Sequence, residues 1–265
     1  MNWFDRDILA WMNHFARLSY PVDVTIAWIA TSNALKGGLA TVVLLWFWFG
    51  DAPDQRRNRE VIVATFAAAA MAIIAGRALA LLLPFRIRPA HNVELGFVAP
   101  YGYTDILRGW SAFPSDHAML FMAMATGLWF LSRRLGLVAY LYTGVVILAP
   151  RVYLGMHHPT DVVFGALLGV TLAALANAEP IRARLASLPL RWSTAHARSF
   201  YAAAFLVALQ VATMFDAPRQ FAREVRAMLE ARPAAEASAR GRAVPHLATP
   251  GLEPIPSRAS ETALR

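Results

Sequence analysis

Three short polar clusters interrupt a chain that is otherwise largely apolar, and each holds side chains that could take part in phosphoryl chemistry. Their sequences are PFRIRPAHN, SAFPSDHAML and PRVYLGMHHPTD. Guanidinium groups offer planar pairs of donors that suit phosphoryl oxygens. Two histidines from separate segments can supply a nucleophile and a general acid. The side chains available to such a site are Arg86, Arg88, Ser115, His117, Arg151, His157 and Asp161.

The second cluster opens an apolar run and has the chemistry of a helix start. Ser115 is a good N-cap residue, and the backbone N–H groups that follow a cap lack partners inside the helix. A helix N-terminus of that kind binds anions. Asp116 is expected to be a solvated acid of the first turn, where a carboxylate favours the helix dipole. The cluster therefore predicts a helix that begins at a phosphate site, with no catalytic step assigned to Asp116.

In the third cluster, histidine and aspartate stand on either side of a predicted helix start. Pro159 fits the first turn of a helix, which places Asp161 near its N-terminus. The segment before Pro159 can turn His157 back toward the Asp161 carboxylate. An aspartate partner fixes the histidine tautomer and makes its free nitrogen more basic. This chemistry needs no metal and no other cofactor, and the ligand spacing is poor for a metal site.

The composition identifies the membrane as the solvent of the chain. Of its 265 residues, 57% are hydrophobic and only 16% are charged, which is too apolar for a soluble domain of this length. The formal net charge is +8, but the arginines stand in short clusters between apolar runs, as in membrane proteins. Nucleic acid is therefore not expected as a partner, whereas membrane lipids are. The chain has no cysteine, so it carries no disulfide framework.

Six apolar runs are candidates for membrane spans, since a span needs about 20 residues. The expected fold is all-α, a polytopic membrane helical bundle with five to six transmembrane helices. Residues 1–20 lack the apolar core and cleavage site of a signal peptide. Their apolar positions recur at helical spacing, which predicts an amphipathic helix at the membrane interface. The six runs cover residues 24–49, 61–84, 118–131, 135–150, 162–178 and 199–215.

These elements divide the chain into four parts. An interfacial helix at 1–20 precedes a transmembrane core at 21–178, a basic loop with an additional membrane helix at 179–216, and a basic tail at 217–265, helical and then disordered. Arginine-rich loops after the first, third and fifth spans place one face of the bundle in the cytoplasm. The polar clusters then share the opposite, periplasmic face of an inner membrane. The side of the tail stays open, because a sixth span would put its arginines in the periplasm.

In order and spacing, the three clusters resemble the motifs of the type-2 phosphatidic acid phosphatase (PAP2) superfamily, which are K-x6-RP, PSGH and SR-x5-H-x3-D. Arg88 and Pro89 match the end of the first motif. The second motif is matched with Asp116 in place of glycine, and the third with Pro150 in place of serine. The bacterial undecaprenyl-diphosphatase branch is the most similar. The other matching positions are Pro114, Ser115, His117, Arg151, His157 and Asp161.

The resemblance implies a role for each matching residue. His157 would attack phosphorus and form a phosphohistidine, and Asp161 would orient it. His117 would protonate the leaving oxygen and then activate the water that hydrolyses the intermediate. The phosphoryl oxygens would be held, and their charge stabilised, by Arg88, Arg151 and Ser115.

One cation of the first motif is missing, because Leu81 stands where the family has lysine. Arg86 is the preferred replacement, since Arg86 and Arg88 point to the same side of an extended segment. Arg77 lies one turn before Leu81, but helical side chains lean toward the helix N-terminus, here away from the site. Arg86 is therefore expected to be a phosphate ligand.

The resemblance implies a membrane phosphatase that acts on the head group of a lipid phosphate. Undecaprenyl diphosphate, converted to undecaprenyl phosphate for cell-envelope synthesis, is the leading substrate; phosphatidylglycerophosphate, phosphatidic acid and lipid A are alternatives. Because of Leu81, a non-catalytic lipid-phosphate binder or transporter is also an open reading. Soluble vanadium haloperoxidases share the motifs, but the apolar spans argue against that class. The sequence gives no indication of the oligomeric state.

Overall fold

The structure is a computed structural model, and it describes residues 1–103 and 109–213. Every regular element in this part of the chain is helical, which confirms the all-α prediction. The predicted tail at 217–265 lies outside the described residues. The α-helices are α1 (Trp3–Asn13), α2 (Tyr20–Thr31), α3 (Leu39–Phe49), α4 (Gln55–Leu82), α5 (Asp116–Leu131), α6 (Arg133–Tyr142), α7 (Ala149–Tyr153), α8 (Pro159–Asn177), α9 (Glu179–Ala195) and α10 (Ala197–Ala212).

Three helices of the described residues are long and apolar enough to cross a membrane alone. They are α4, α8 and the continuous helix Arg133–Tyr153, in which a π-helical turn joins α6 to α7. α2 and the helical segment Ala34–Phe49, which contains α3, are together long and apolar enough for a further crossing, but they are bent by 57° at the break between them, as in a broken span or a re-entrant loop. α5 and α10 are apolar but only 16 residues long, or about 24 Å at 1.5 Å per residue. The chain is therefore a helical membrane bundle with shorter apolar helices packed into it.

α5 lies at the centre of the bundle, where it packs against α4, α6 and α8. Most of its residues are buried. α8 approaches α5 closely because it presents glycines: a Cβ atom at Gly169 would lie 2.2 Å from the Met119 backbone oxygen, and one at Gly165 would lie 2.7 Å from the Ser115 oxygen. These contacts bring together the N-terminal ends of α5 and α8, which carry the second and third polar clusters.

The N-terminal helix is amphipathic, as the sequence predicts, but it is also docked on the bundle. α1 packs against α7 and α8, and it buries Leu9 and the Asp5 carboxylate. Its other side carries Trp3 and Trp11, which are 70% and 66% exposed. A helix with such an apolar exposed side suits the membrane interface. α1 therefore covers the end of the bundle at which α8 begins.

The last two described helices lie at the other end of α8. α9 packs against α4 and α8, and α10 packs against α3 and α9. The segment from 179 to 213 is thus a basic helix followed by an apolar one, whereas a basic loop was expected before the apolar helix. The two helices complete the bundle far from the polar clusters.

Candidate active site

The starts of α5 and α8 meet, and they bring the polar clusters together. The Ser115 backbone N–H donates to the Asp161 backbone oxygen at 3.2 Å. Ser115 is the N-cap of α5, as predicted, and its hydroxyl oxygen accepts from the Ala118 N–H at 3.4 Å. The first cluster joins them, since the Ile87 backbone oxygen lies 3.0 Å from His158 Nε2. All three clusters therefore converge at one end of the bundle.

His157 lies in the loop between α7 and α8 and is 5% exposed. Its Nδ1 atom lies 2.7 Å from the Ala112 backbone oxygen, which can only accept, so Nδ1 carries the proton and Nε2 has a free lone pair. Nε2 faces the guanidinium of Arg88, with 3.5 Å to Nη1. Burial lowers the pKa of His157, and the charge of Arg88 lowers it further. A neutral imidazole with a free Nε2 is a competent nucleophile.

The Asp161 carboxylate does not form the expected hydrogen bond to His157. Its Oδ2 atom lies 3.9 Å from His157 Nδ1, which is beyond hydrogen-bond range. Oδ2 accepts instead from the His158 backbone N–H at 2.7 Å, and Oδ1 accepts from Arg86. The bond to His158 is that of a capping box, in which an acid of the first turn binds the N–H of the cap residue. The Ala112 oxygen, and not Asp161, therefore fixes the tautomer of His157.

Arg88 is 5% exposed, and its guanidinium is held by three backbone oxygens. Nε donates to Trp110 at 3.1 Å, Nη2 donates to Ser111 at 3.0 Å, and Nη1 donates to Met156. Burial lowers the pKa of Arg88 to about 10, so the group stays protonated at neutral pH. Arg88 therefore places a full positive charge beside His157. It also links the segment before α5, at Trp110 and Ser111, to the segment before α8, at Met156.

Arg151 is also buried, and it contacts the second histidine of the site. Its Nη2 atom lies 2.6 Å from His117 Nε2 and donates to the Ala30 oxygen at 2.6 Å. Its Nη1 atom lies 3.0 Å from Met156 Sδ. A guanidinium can only donate, so Nε2 of His117 is the acceptor and neutral His117 carries its proton on Nδ1. The structure therefore couples the two residues directly.

Arg86 forms ion pairs with two carboxylates, instead of being free to bind phosphate as was expected from the sequence. Nη1 donates to Asp161 and, at 2.9 Å, to Thr160 Oγ1, while Nη2 donates to Asp5 Oδ2 at 2.7 Å. A phosphoryl group would have to compete with both carboxylates for these donors. The described contacts therefore give Arg86 a structural role, in which it ties α1 to the start of α8.

Asp5 is a site residue that the sequence reasoning missed. Its carboxylate is fully buried, and it accepts from the Thr160 backbone N–H and hydroxyl, both at 2.8 Å, as well as from Arg86. It therefore satisfies one of the orphan N–H groups of α8 from outside that helix. A signal was present in the sequence, because Asp5 lies four residues before the buried Leu9 and shares its face of α1.

Two further expectations are corrected by the contact between α4 and α5. Asp116 is not solvated: it is 8% exposed, and its Oδ1 atom lies 2.7 Å from Arg77 Nη2. Arg77 does not lean away from the site but reaches the first turn of α5, with its guanidinium 5.3 Å from the centre of the Trp110 ring. The Cα–Cβ bond of Arg77 points toward the N-terminus of α4, but the side chain is long enough to reach Asp116 in the first turn of α5. Leu81, by contrast, is 86% exposed and adds no polar group.

A cavity of about 760 Å³ adjoins this constellation. Arg88 and Trp110 form part of its wall, and the segment 85–97 forms most of the rest. The cavity has room for a lipid head group beside Arg88, whose guanidinium lies 3.5 Å from His157 Nε2. Within residues 1–103 and 109–213, no group of three His, Asp or Glu side chains is placed to hold a metal ion.

Comparison with known proteins supports one family. Residues 82–180 match the model of the PAP2 superfamily, and this range contains all seven predicted site residues, whereas Asp5 and Arg77 precede it. No curated protein and no solved structure shows significant similarity to the chain. The match supports a phosphatase-type hydrolase that acts on lipid phosphates, in agreement with the apolar helices of the bundle.

Proposed function

Starting from the PAP2 match at residues 82–180, we propose that this protein hydrolyses a phosphate or diphosphate on a membrane lipid through a phosphohistidine at His157. The leading substrate is undecaprenyl diphosphate, and the site faces the periplasm from an inner membrane. The observation that carries the proposal is the free Nε2 of His157, which lies 3.5 Å from the Arg88 guanidinium. A nucleophile beside a fixed cation suits attack on an anionic phosphoryl group.

In the first step, His157 Nε2 attacks the terminal phosphorus and forms an N–P bond, while the bond from that phosphorus to the oxygen that links it to the lipid breaks. For a diphosphate this is the bridging oxygen, so the leaving group is the lipid monophosphate. The N–H at Nδ1 donates to the Ala112 oxygen, so the positive charge that forms on the ring is stabilised in place. Arg88 holds the phosphoryl oxygens beside Nε2. The start of α5, capped by Ser115, adds the positive end of a helix dipole. Asp161 acts on His157 through the capping box that shapes the loop between α7 and α8.

His117 supplies the proton for the leaving oxygen and later activates the water. In the structure its Nε2 atom accepts from Arg151 Nη2 at 2.6 Å. An incoming phosphoryl group competes for this guanidinium and releases the His117 nitrogen. The released Nε2 takes up a proton from solvent, and the resulting imidazolium donates this proton to the leaving oxygen. The neutral imidazole that remains can then accept a proton from the water that hydrolyses the phosphohistidine.

The experiment is phosphate release by the purified full-length protein from undecaprenyl diphosphate, phosphatidylglycerophosphate, phosphatidic acid and lipid A. His157→Ala should lower turnover by at least 1,000-fold, on the order expected for loss of a nucleophile. His196→Ala is the matched control, because His196 is exposed and lies outside the site. Equal turnover by the His157 variant and the control would overturn the proposal. The preferred lipid among the four identifies the substrate.

A second candidate is a lipid-phosphate binder without turnover. The observation that favours it is the bonding of Arg88, whose Nε, Nη1 and Nη2 atoms all donate to backbone oxygens. An acid-labile phosphoryl adduct on the protein, absent from His157→Ala, would exclude this candidate. Saturable lipid-phosphate binding without adduct or phosphate release would establish it.

A further inference from the structure

An elongated groove lies between α3, α4, α9 and α10, at the opposite end of the bundle from the histidines. Its wall includes the first two turns of α4, whereas Arg77, which borders the candidate active site, lies near the end of that helix. At 1.5 Å per residue, the two regions are about 30 Å apart along α4. The groove is therefore separate from the catalytic region.

One part of the groove is polar and basic. Its volume is about 430 Å³. Its walls are formed by the N-terminal end of α4 and by residues 183–194 of α9. The side chains that give it its character are Arg56, Arg59, Glu60, Ser187, Arg191 and Thr194.

The single carboxylate among these groups does not neutralise the arginines. Glu60 Oε1 lies 3.3 Å from Arg56 Nε, and Glu60 Oε2 lies 3.6 Å from Arg182 Nε. Its charge is thus shared by two guanidinium groups. Among the described residues, the Arg191 guanidinium forms no hydrogen bond or ion pair, while the Arg191 backbone oxygen accepts from Thr194 Oγ1 at 3.0 Å. With Arg59, it leaves this part of the groove with an excess of positive charge, which attracts an anion.

The other part of the groove is apolar and has a volume of about 520 Å³. Its walls come from α3, α4, α9 and α10, and they are rich in aromatic rings. Since these helices belong to the membrane bundle, lipid acyl chains are the neighbours available to fill it. The largest side chains of the lining are Trp48, Phe49, Phe66, Trp192, Phe200 and Phe205.

The two parts adjoin each other along one face of α4. Arg59 lines the basic part, and Ile62, Val63 and Phe66 line the apolar part on the following turns, which helical periodicity sets on the same face. The junction is a direct contact. Arg59 Nε donates to the Trp48 oxygen at 3.1 Å, and its guanidinium lies 5.5 Å from the centre of the Trp48 ring.

We propose that this groove binds an anionic phospholipid of the adjacent membrane leaflet, with its phosphate between Arg59 and Arg191 and an acyl chain along the aromatic wall. A zwitterionic lipid would bring its own cation into a basic site, and a soluble anion would leave the apolar part unfilled. The ligand holds α9 and α10 against α3 and α4. The proposal is independent of hydrolysis at His157.

The test is lipid binding by the purified full chain in a neutral detergent, measured by native mass spectrometry. Dioleoyl phosphatidylglycerol is compared with dioleoyl phosphatidylcholine, which has the same acyl chains. The wild type should bind phosphatidylglycerol at least tenfold more tightly. The double variant Arg59→Gln/Arg191→Gln should lose about tenfold in affinity for it, since two charge-assisted contacts are removed. Ala204→Trp, which fills the apolar part, should weaken binding of the lipid without changing the charge.

The matched control is Arg133→Gln/Arg134→Gln, which removes two arginines from the start of α6, outside the groove. It should change the affinity for phosphatidylglycerol less than twofold. Equal binding of the two lipids by the wild type would overturn the proposal. It would also be overturned if the control weakened binding as much as the groove variant, since that indicates general attraction to a basic surface. Circular dichroism of each variant confirms that its helices are intact.

Discussion

The substitution Asp5→Ala tests whether the N-terminal helix is held by its buried carboxylate. Removing this group leaves the Thr160 N–H and hydroxyl without the acceptor that lies 2.8 Å from each. A buried neutral donor without a partner costs about 1–3 kcal/mol. The substitution also removes one of the two carboxylates that pair with Arg86. Because the Arg86 side chain is 29% exposed and keeps its pair with Asp161, the loss of this ion pair contributes less to the destabilisation. We expect a total loss of about 3 kcal/mol in the free energy of unfolding.

The assay is thermal unfolding of the purified protein in detergent micelles. For a chain of this size, a loss of about 3 kcal/mol lowers the melting temperature by roughly 6–12 °C. Asp7→Ala is the control, because Asp7 lies on the same helix, is 59% exposed and pairs with its exposed neighbour Arg6 at 3.2 Å. It should lower the melting temperature by less than about 2 °C. If Asp5→Ala were no more destabilising than Asp7→Ala, the carboxylate would not be what docks α1.

Three further predictions concern packing, the pair on α4 and α5, and pH. Gly169→Ala should lower stability by about 1–3 kcal/mol in thermal unfolding, because its Cβ atom would meet an α5 backbone oxygen at 2.2 Å, whereas Gly144→Ala, with open space around it, should be neutral or slightly stabilising. A double-mutant cycle of Arg77→Ala and Asp116→Ala should give a coupling of about 1 kcal/mol, since the pair is partly buried; additive effects would contradict the ion pair. Because burial lowers the pKa of His157, the unfolded chain takes up a proton below about pH 6.5 that the folded chain does not. Stability should therefore fall between pH 7 and pH 5, and His157→Gln should reduce that fall; an unchanged pH dependence would contradict the buried neutral imidazole.

The sequence predicted the features that depend on local chemistry. The helical bundle follows from apolar runs of membrane length, and the Ser115 cap follows from the preference of serine for a helix start. The convergence of three polar clusters at one end of the bundle was also predicted, since alternating spans carry them to the same face. These expectations needed only the order of the elements and the approximate length of each helix.

The partners of individual side chains were harder to predict, because they depend on packing between distant elements. The contact between Arg151 and His117 joins residues 34 positions apart, and the bond from Thr160 to Asp5 joins residues 155 positions apart. The expected pair of His157 and Asp161 has suitable spacing, but the chain turns into α8 between them. The Asp161 carboxylate then faces the backbone of its own helix start. Residue spacing alone does not show whether His157 Nδ1 donates to the Asp161 carboxylate or to the Ala112 backbone oxygen.

The close contact of α5 with α8 has a consequence for how a substrate enters. Ser115 and Asp161 are joined through their backbones, and Gly165 and Gly169 lie against the backbone of α5. A shift of one helix would break this contact, so the two helices should move as one rigid body. The spacing between the second and third motifs is then constant during turnover. Any widening that admits a bulky lipid head must then come from the segment 85–103, which forms most of the cavity wall.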